Sequence, residues 1–199
     1  MAVAIEFHFD LLSPYAYLAH TQLPALAARY GATLAYRPID LAQAKQAVGN
    51  TGPTNREMPV KHRHLRLDLQ RWAAHYGVPL VPPASYGSLR LNCGALYALD
   101  REQPARYVEA AWRRVWGEGG AMDDEGLLLG LAGEMGWPAD DFMAYVSSDA
   151  AHARLRAATE QASARGVFGV PTMFVGDQMW WGNDRLHFLE QYLQSQMAA

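Results

Sequence analysis

The chain has 199 residues, of which 50% are hydrophobic and 19% charged, with a formal net charge of −3 and a pI near 6.1. This composition is typical of a soluble globular protein, and it gives no electrostatic footprint for nucleic acid or an anionic membrane surface. The single cysteine, Cys93, excludes an intramolecular disulfide framework and any cysteine-rich metal site. No apolar run is long enough to span a bilayer and no signal-peptide pattern is present, so we expect a cytoplasmic protein.

The N-terminal part reads as a strand–helix–strand unit. The apolar run Val3–Asp10 predicts a buried strand, and the helical pattern Pro14–Tyr30 follows it. Proline suits the first turn of a helix because the N–H that it lacks would be unpaired there. After Gly31, the run Thr33–Pro38 predicts a second strand.

From Asp40 to Ser148 the pattern is helical, with a polar stretch rich in glycine, proline and asparagine from Gly49 to Pro59. Glycine, proline or aspartate signals bound each predicted helix. These helices are Glu57–Tyr76, Leu89–Arg101, Pro104–Trp116, Asp123–Met135 and Pro138–Val146.

The C-terminal part predicts a helix, a hairpin and a helix. A helix from Asp149 to Arg165 stops at Gly166, and the strands Thr172–Val175 and Gln178–Trp181 form the hairpin. The closing helix is Asn183–Met197. This order predicts an α/β, thioredoxin-like fold, with a discontinuous domain of residues 1–39 and 149–199 and an all-helical insertion of residues 40–148.

Ser13 lies between the first strand and the first helix, where redox thioredoxin-like proteins carry Cys-x-x-Cys. One interpretation is a plain N-cap, since a serine oxygen accepts a backbone N–H there. The other adds a function, because a helix N-terminus stabilises an anion and a serine hydroxyl can donate to a thiolate. Any sulfur chemistry here needs a thiol from elsewhere.

Two further segments carry both a structural and a functional interpretation. The bond between Val170 and Pro171 is trans by default, but in a thioredoxin framework a cis-proline leaves the backbone of the preceding residue free to pair with an extended peptide. Trp181-Gly182-Asn183-Asp184 reads as a helix start with Asn183 or Asp184 as N-cap. It also offers groups for the charged end of a peptide-like ligand.

Together, Ser13-Pro14-Tyr15-x-Tyr17, the segment 166–172 and the segment 181–185 resemble the 2-hydroxychromene-2-carboxylate isomerases. That family is related to the kappa-class glutathione transferases and, more distantly, to the DsbA oxidoreductases. The resemblance covers essentially the whole chain. It implies that reduced glutathione binds with its thiol at Ser13, its cysteinyl backbone on Val170 and its γ-glutamyl end against Trp181, Gly182, Asn183 and Asp184. It also implies a homodimer.

The same resemblance matches four substrate-binding residues to Lys45, Asn55, Arg56 and Tyr86. Their chemistry agrees with an arylidene-pyruvate substrate, because the two cations can pair with its carboxylate while the amide and the phenol donate to its oxygens. Each cation also has a plain interpretation as a solvated surface charge. The basic run from Lys61 to Arg66 is interpreted as a solvated helix face.

These observations lead to a hypothesis about function. The chain is expected to be a glutathione-dependent isomerase that interconverts 2-hydroxychromene-2-carboxylate-type and trans-o-hydroxybenzylidenepyruvate-type compounds in the degradation of aromatic hydrocarbons such as naphthalene. The alternatives are a kappa-like glutathione transferase that conjugates electrophiles and a non-catalytic thioredoxin-like binding module. A dithiol oxidoreductase is disfavoured because Cys93 has no partner cysteine, and the histidines show no metal-ligand spacing.

Overall fold

The computed structural model describes residues 3–197. It contains one four-stranded sheet, and helices connect and follow its strands along the chain. The strands are β1 (Ala4–Phe9), β2 (Thr33–Pro38), β3 (Thr172–Val175) and β4 (Gln178–Trp181). The helices are α1 (Pro14–His20), α2 (Leu23–Arg29), α3 (Leu41–Ala47), α4 (Pro59–Tyr76), α5 (Leu89–Leu99), α6 (Pro104–Trp112), α7 (Glu125–Met135), α8 (Ala139–Val146), α9 (Asp149–Ala164) and α10 (Leu186–Met197). A π-helical turn, Arg113–Gly117, follows α6, and a 3-10 helix, Asn183–Arg185, precedes α10.

The strand order is β2-β1-β3-β4, with β1 parallel to β2 and the other two pairs antiparallel. This sheet, with six helices inserted between β2 and α9, confirms the expected thioredoxin-like fold with a helical insertion. In its register, Phe9 pairs with Pro38, His8 with Thr172 and Thr172 with Trp181. Four chain segments therefore meet at one end of the sheet: those that follow β1, β2 and β4, and the one that precedes β3.

The core lies against one face of the central strand. Ile5, Phe7 and Phe9 alternate along β1 and are fully buried, as expected for side chains that point to the same face of a strand. The Phe9 ring packs 5.2 Å from the Trp112 ring of α6. Burying each such aromatic side chain stabilises the fold by about 1.5–3 kcal/mol, so this face holds the helical insertion firmly against β1.

The predicted single helix 14–30 is wrong, because the chain breaks at Thr21 and Gln22 into α1 and α2. Pro24 explains the break, since it has no N–H to donate to the carbonyl of His20, four residues earlier. The Thr21 hydroxyl instead donates to the carbonyl of Leu18, 2.7 Å away, and helps to close α1.

Two other helices differ from their predicted extents. The helix expected to run from Pro104 to Trp116 leaves α-helical geometry after Trp112, and the closing helix starts as a 3-10 turn. Within residues 3–197 no helix is long and apolar enough to cross a membrane, and no group of three or more His, Cys, Asp or Glu side chains could hold a metal ion.

Candidate active site at one end of the sheet

Ser13 is the N-cap of α1, and its side chain has one hydrogen-bonding group left over. The residue is 6% exposed, and its Oγ accepts the N–H of Ala16 at 3.2 Å. Its own N–H donates to the carbonyl of Asp10, which fixes the turn. In the part of the chain that the structure describes, the Ser13 O–H has no acceptor. Capping therefore uses only the oxygen, and the proton remains available to an anion.

The segment before β3 presents an unpaired length of backbone. The Val170–Pro171 peptide bond is cis. Val170 is 9% exposed, and among residues 3–197 neither its N–H nor its C=O takes part in a hydrogen bond. Buried backbone groups are nearly always paired, so this pair is typical of a place where an extended ligand adds as a strand.

The segment after β4 contributes a buried amide. Gly182 has φ +100°, in the region that favours glycine, and its N–H donates to the carbonyl of Pro171 at 2.9 Å. Asn183 is 3% exposed, and its Nδ2 has no partner within the described residues. The hydroxyl of Tyr76 donates to the Asn183 carbonyl at 3.2 Å and fixes this turn against α4.

The expectation that Asn183 or Asp184 is an N-cap is wrong. Gly182 occupies the cap position of the 3-10 helix, and no side chain caps it. Asp184 is exposed and pairs with Arg185. The indole of Trp181 is half exposed and packs against the ring of Phe168, with 4.9 Å between the ring centroids.

These unpaired groups fit a short peptide that carries a thiol. The Ser13 hydroxyl offers a donor to sulfur, the backbone of Val170 offers one donor and one acceptor to an amide, and the Nδ2 of Asn183 offers a donor to a carboxylate or carbonyl. All three stand on segments that leave the same end of the sheet. Glutathione has a complementary group for each.

Two of the four expected substrate-binding residues are in direct contact. The guanidinium carbon of Arg56 lies 3.1 Å from the centroid of the Tyr86 ring, a cation–π stack, and burial lowers the pKa of Arg56. The Tyr86 ring packs 6.4 Å from that of Trp116, whose Nε1 donates to the Leu11 carbonyl at 3.0 Å. This chain of contacts connects Arg56 to the segment that carries Ser13.

Lys45 and Asn55 are less constrained. Lys45 is half-buried on α3, one helical turn after Leu41, and Asn55 is exposed beside Arg56 in the segment between α3 and α4. Within residues 3–197 neither side chain forms a hydrogen bond or an ion pair. Lys45 therefore lies on the helix that follows β2, and no contact among the described residues fixes its ammonium group.

Other residues of the motif hold the site in place. The Tyr15 hydroxyl donates to Asp68 of α4 at 2.6 Å, and the Tyr17 hydroxyl donates to the carbonyl of Pro79 at 2.8 Å. Burial, followed by the bond to Asp68, raises the pKa of Tyr15. Cys93 is fully buried on α5, and burial raises the pKa of its thiol to about 12, which confirms it as a small apolar side chain.

Two residues near the site were missed by sequence reasoning. Trp116 lies in the π-helical turn, whose irregular backbone no periodic pattern predicts, although such turns are frequent at functional sites. Asn92 is the one polar side chain of the apolar run 91–96, and that isolation is a signal for a buried hydrogen-bond network.

Comparisons with known proteins agree with this fold. A family model described as a DSBA-like thioredoxin domain matches residues 4–194. The 2-hydroxychromene-2-carboxylate isomerase of Pseudomonas putida is 50% identical over 186 residues, which cover 94% of this chain and 92% of that protein. The solved structure of a selenomethionine 2-hydroxychromene-2-carboxylate isomerase matches with a TM-score of 0.93 and 48% identity, over 98% of this chain and 96% of the other.

A more distant relative is glutathione S-transferase kappa 1 of Homo sapiens, 26% identical over an alignment of 205 positions, which covers 95% of this chain and 90% of that protein. The fold and the family model thus define this chain as a protein of the DsbA-like thioredoxin class. Within that class, the chain belongs to the 2-hydroxychromene-2-carboxylate isomerase family.

Proposed function

We propose that this protein is a glutathione-dependent isomerase that interconverts 2-hydroxychromene-2-carboxylate-type and trans-o-hydroxybenzylidenepyruvate-type compounds. The observation that carries the proposal is that the Ser13 O–H, the Val170 backbone and the Asn183 amide have no hydrogen-bond partner among residues 3–197 and stand on segments at the same end of the sheet. The 50% identity to a 2-hydroxychromene-2-carboxylate isomerase supports the substrate class. The kappa-class relative supports the cofactor.

The chain holds the cofactor through three segments. The backbone of Val170 pairs with the cysteinyl residue, and the segment from Trp181 to Asp184 takes the γ-glutamyl end, with the Asn183 amide as its buried donor. Bound glutathione would supply a thiolate that adds reversibly to the double bond of the ring-opened form of the substrate, so that the resulting single bond can rotate before the thiolate is expelled and the double bond re-forms. No nucleophile of the chain itself is needed.

Ser13 stabilises the thiolate by donating its O–H to sulfur. Its oxygen meanwhile stays bonded to the N–H of Ala16, and this bond fixes the direction of the hydroxyl. A hydrogen bond to the charged form favours that form, so Ser13 lowers the pKa of the bound thiol. More of the thiol is then ionised at neutral pH.

Arg56 and Lys45 bind the carboxylate and stabilise the negative charge that develops on the substrate. The stack on Tyr86 covers one face of the Arg56 guanidinium and leaves its N–H edge free for a bidentate pair. Asn55 and the Tyr86 hydroxyl donate to the remaining oxygens, and the partly exposed Tyr86 ring, backed by the buried Trp116 ring, offers an aromatic surface to the flat substrate.

This substrate class belongs to the degradation of aromatic hydrocarbons, and the proposal includes that role. The homodimer and the cytoplasmic location stay predictions.

A spectrophotometric assay tests the proposal. Purified protein is given the chromene carboxylate alone, with glutathione, and with S-methylglutathione, which keeps the peptide but has no thiol. We expect turnover only with glutathione, and S-methylglutathione should inhibit it by occupying the site. Absence of turnover would refute the isomerase. Conjugation of a chlorodinitrobenzene-type electrophile without isomerisation would favour the transferase, and no calorimetric binding of glutathione would favour a binding module.

A further inference from the structure

Asp10 is a buried carboxyl at the end of β1, and the proposed reaction does not use it directly. It is 2% exposed, and burial raises its pKa. Its Oδ1 accepts the N–H of Leu12 at 2.9 Å and its Oδ2 accepts the N–H of Leu41 at 2.9 Å. The amide of Asn92 donates to Oδ1 at 2.7 Å. Both carboxyl oxygens therefore accept hydrogen bonds from other parts of the chain.

Asn92 of α5 completes the network from the other side. It is 1% exposed, and its Oδ1 accepts the N–H of Leu11 at 3.0 Å. Its Nδ2 also lies 3.3 Å from the Ile39 carbonyl and 3.4 Å from the Ser88 hydroxyl. One asparagine therefore contacts the segment after β1, the segment after β2 and the first turn of α5.

The network joins the turn that carries Ser13 to the helix that carries Lys45. Leu11 and Leu12 are held by Asn92 and Asp10, and the carbonyl of Asp10 accepts the N–H of Ser13 at 2.9 Å. Leu41 is the first residue of α3, and Lys45 lies four residues later, on the same face of that helix. The Asp10 side chain is thus bonded to the serine turn and to the helix that carries the lysine.

We propose that Asp10, oriented by Asn92, is a positioning residue that sets Ser13 and Lys45 at the separation the isomerisation requires. The proposal rests on the proposed function, since it assigns the thiol to Ser13 and the substrate charge to Lys45. The contacts to glutathione through Val170 and Asn183 lie on segments outside this network. Disturbing it should therefore reduce turnover and substrate affinity far more than glutathione affinity, most of which those contacts supply.

The test replaces Asn92 by aspartate. In Asn92→Asp two carboxyls face each other in a buried place, so one of them retains a proton at low pH and donates it to the other, as the amide did. When the pH rises and that proton leaves, the two charges repel and the network opens. Misplacing reacting groups by about 1 Å can cost on the order of 100-fold in rate, which is the loss in kcat/KM that we expect.

Few other titratable groups face this pair. The partners of the Asp10 carboxyl are the Asn92 amide, the Ser88 hydroxyl and the N–H groups of Leu12 and Leu41, all uncharged. On the same face of β1, burial lowers the pKa of His8 to about 4, so that residue stays neutral near neutral pH. An ionisation that appears only in the variant therefore belongs to the new carboxyl pair.

The expected result is a kcat/KM for Asn92→Asp that equals the wild-type value at low pH and falls with rising pH, with a raised KM for the chromene. Asn92→Leu, which cannot form either bond, should be impaired at every pH. Circular dichroism at each pH confirms that the variants are folded, and calorimetry should show a change in the glutathione Kd that is much smaller than the change in kcat/KM. The positioning role would be overturned if Asn92→Asp had the same pH profile as the wild type, or if its losses in kcat/KM only followed the folded fraction. The proposed function would still stand in either case, provided that the wild-type protein turns over the chromene with glutathione. A wild-type protein that does not respond to glutathione contradicts the proposed function itself.

Discussion

Replacing Ser13 by alanine should separate the two uses of its hydroxyl. Loss of the N-cap bond to Ala16 costs about 1 kcal/mol of unfolding free energy. For a chain of this size that corresponds to a fall in Tm of about 2–4 °C. Loss of the free O–H removes a hydrogen bond to a charged sulfur, worth about 1.5–3 kcal/mol, or roughly 10- to 150-fold in rate. The pKa of the bound thiol should rise by about one to two units.

The chain offers a matched control in Ser148, the N-cap of α9. Its Oγ accepts the N–H of Ala151 at 3.1 Å, nearly the geometry of Ser13, but its own O–H donates to the Tyr145 carbonyl at 2.7 Å. Ser148→Ala should therefore lose as much stability as Ser13→Ala, or more, and retain full turnover. The cap alone cannot account for a difference in rate between the two variants.

Three measurements decide the outcome: the Tm of each variant, its kcat/KM with saturating glutathione, and the thiol pKa from the ultraviolet absorbance of the bound thiolate against pH. We expect both variants to melt earlier, and only Ser13→Ala to lose turnover and show a raised thiol pKa. If Ser13→Ala melts earlier and still turns over at the wild-type rate, Ser13 is a cap and nothing more.

Three further predictions follow from the contacts described above. Arg56→Lys removes the stack on Tyr86 and the bidentate fork, so the KM for the chromene should rise about tenfold or more while the glutathione Kd, measured by calorimetry, stays the same. Asn183→Leu removes a buried donor that has no partner in the described chain, so urea unfolding should show no loss of stability while the glutathione Kd rises about tenfold; a destabilised variant with an unchanged Kd would contradict the assignment. Burial holds the pKa of His8 at about 4, below its ordinary 6.5, so the unfolded chain binds the proton first and stability falls as the pH drops from 6.5 towards 4. In His8→Phe the difference in unfolding free energy between pH 7 and pH 5 should shrink, and an unchanged difference would show that His8 does not contribute to it.

The order of helices and strands along the chain is predicted well from the sequence because each element carries a local signal. Three strands have the predicted bounds, since the pattern of apolar residues and the flanking turn residues mark both of their ends. They are Thr33–Pro38, Thr172–Val175 and Gln178–Trp181. The helix break at Thr21 was missed although Pro24 signals it. Proline is tolerated in a first turn, and the pattern alone does not show that a new first turn begins there.

The site was predictable only in part, for a physical reason. Ser13 and Val170 can be proposed from the sequence because their proposed roles depend on local backbone geometry, which the serine before a helix and the proline after Val170 indicate. The Asp10–Asn92 bond joins residues 82 positions apart, and the Arg56–Tyr86 stack joins two irregular segments, so neither leaves a periodic trace. Whether a buried polar group is paired, as for the Asn183 amide, is decided by tertiary packing and not by its neighbours in the chain.

The burial of Cys93 has a consequence for how the proposed enzyme would withstand oxidants. The chain's one thiol is fully buried and, with a pKa of about 12, stays protonated, whereas peroxides attack accessible thiolates. The reactive sulfur would instead belong to a ligand that dissociates. When that sulfur is oxidised, the damaged molecule leaves and an intact one takes its place, so recovery needs neither a reductase nor new protein synthesis. The enzyme's working state would then track the ratio of reduced to oxidised glutathione around it.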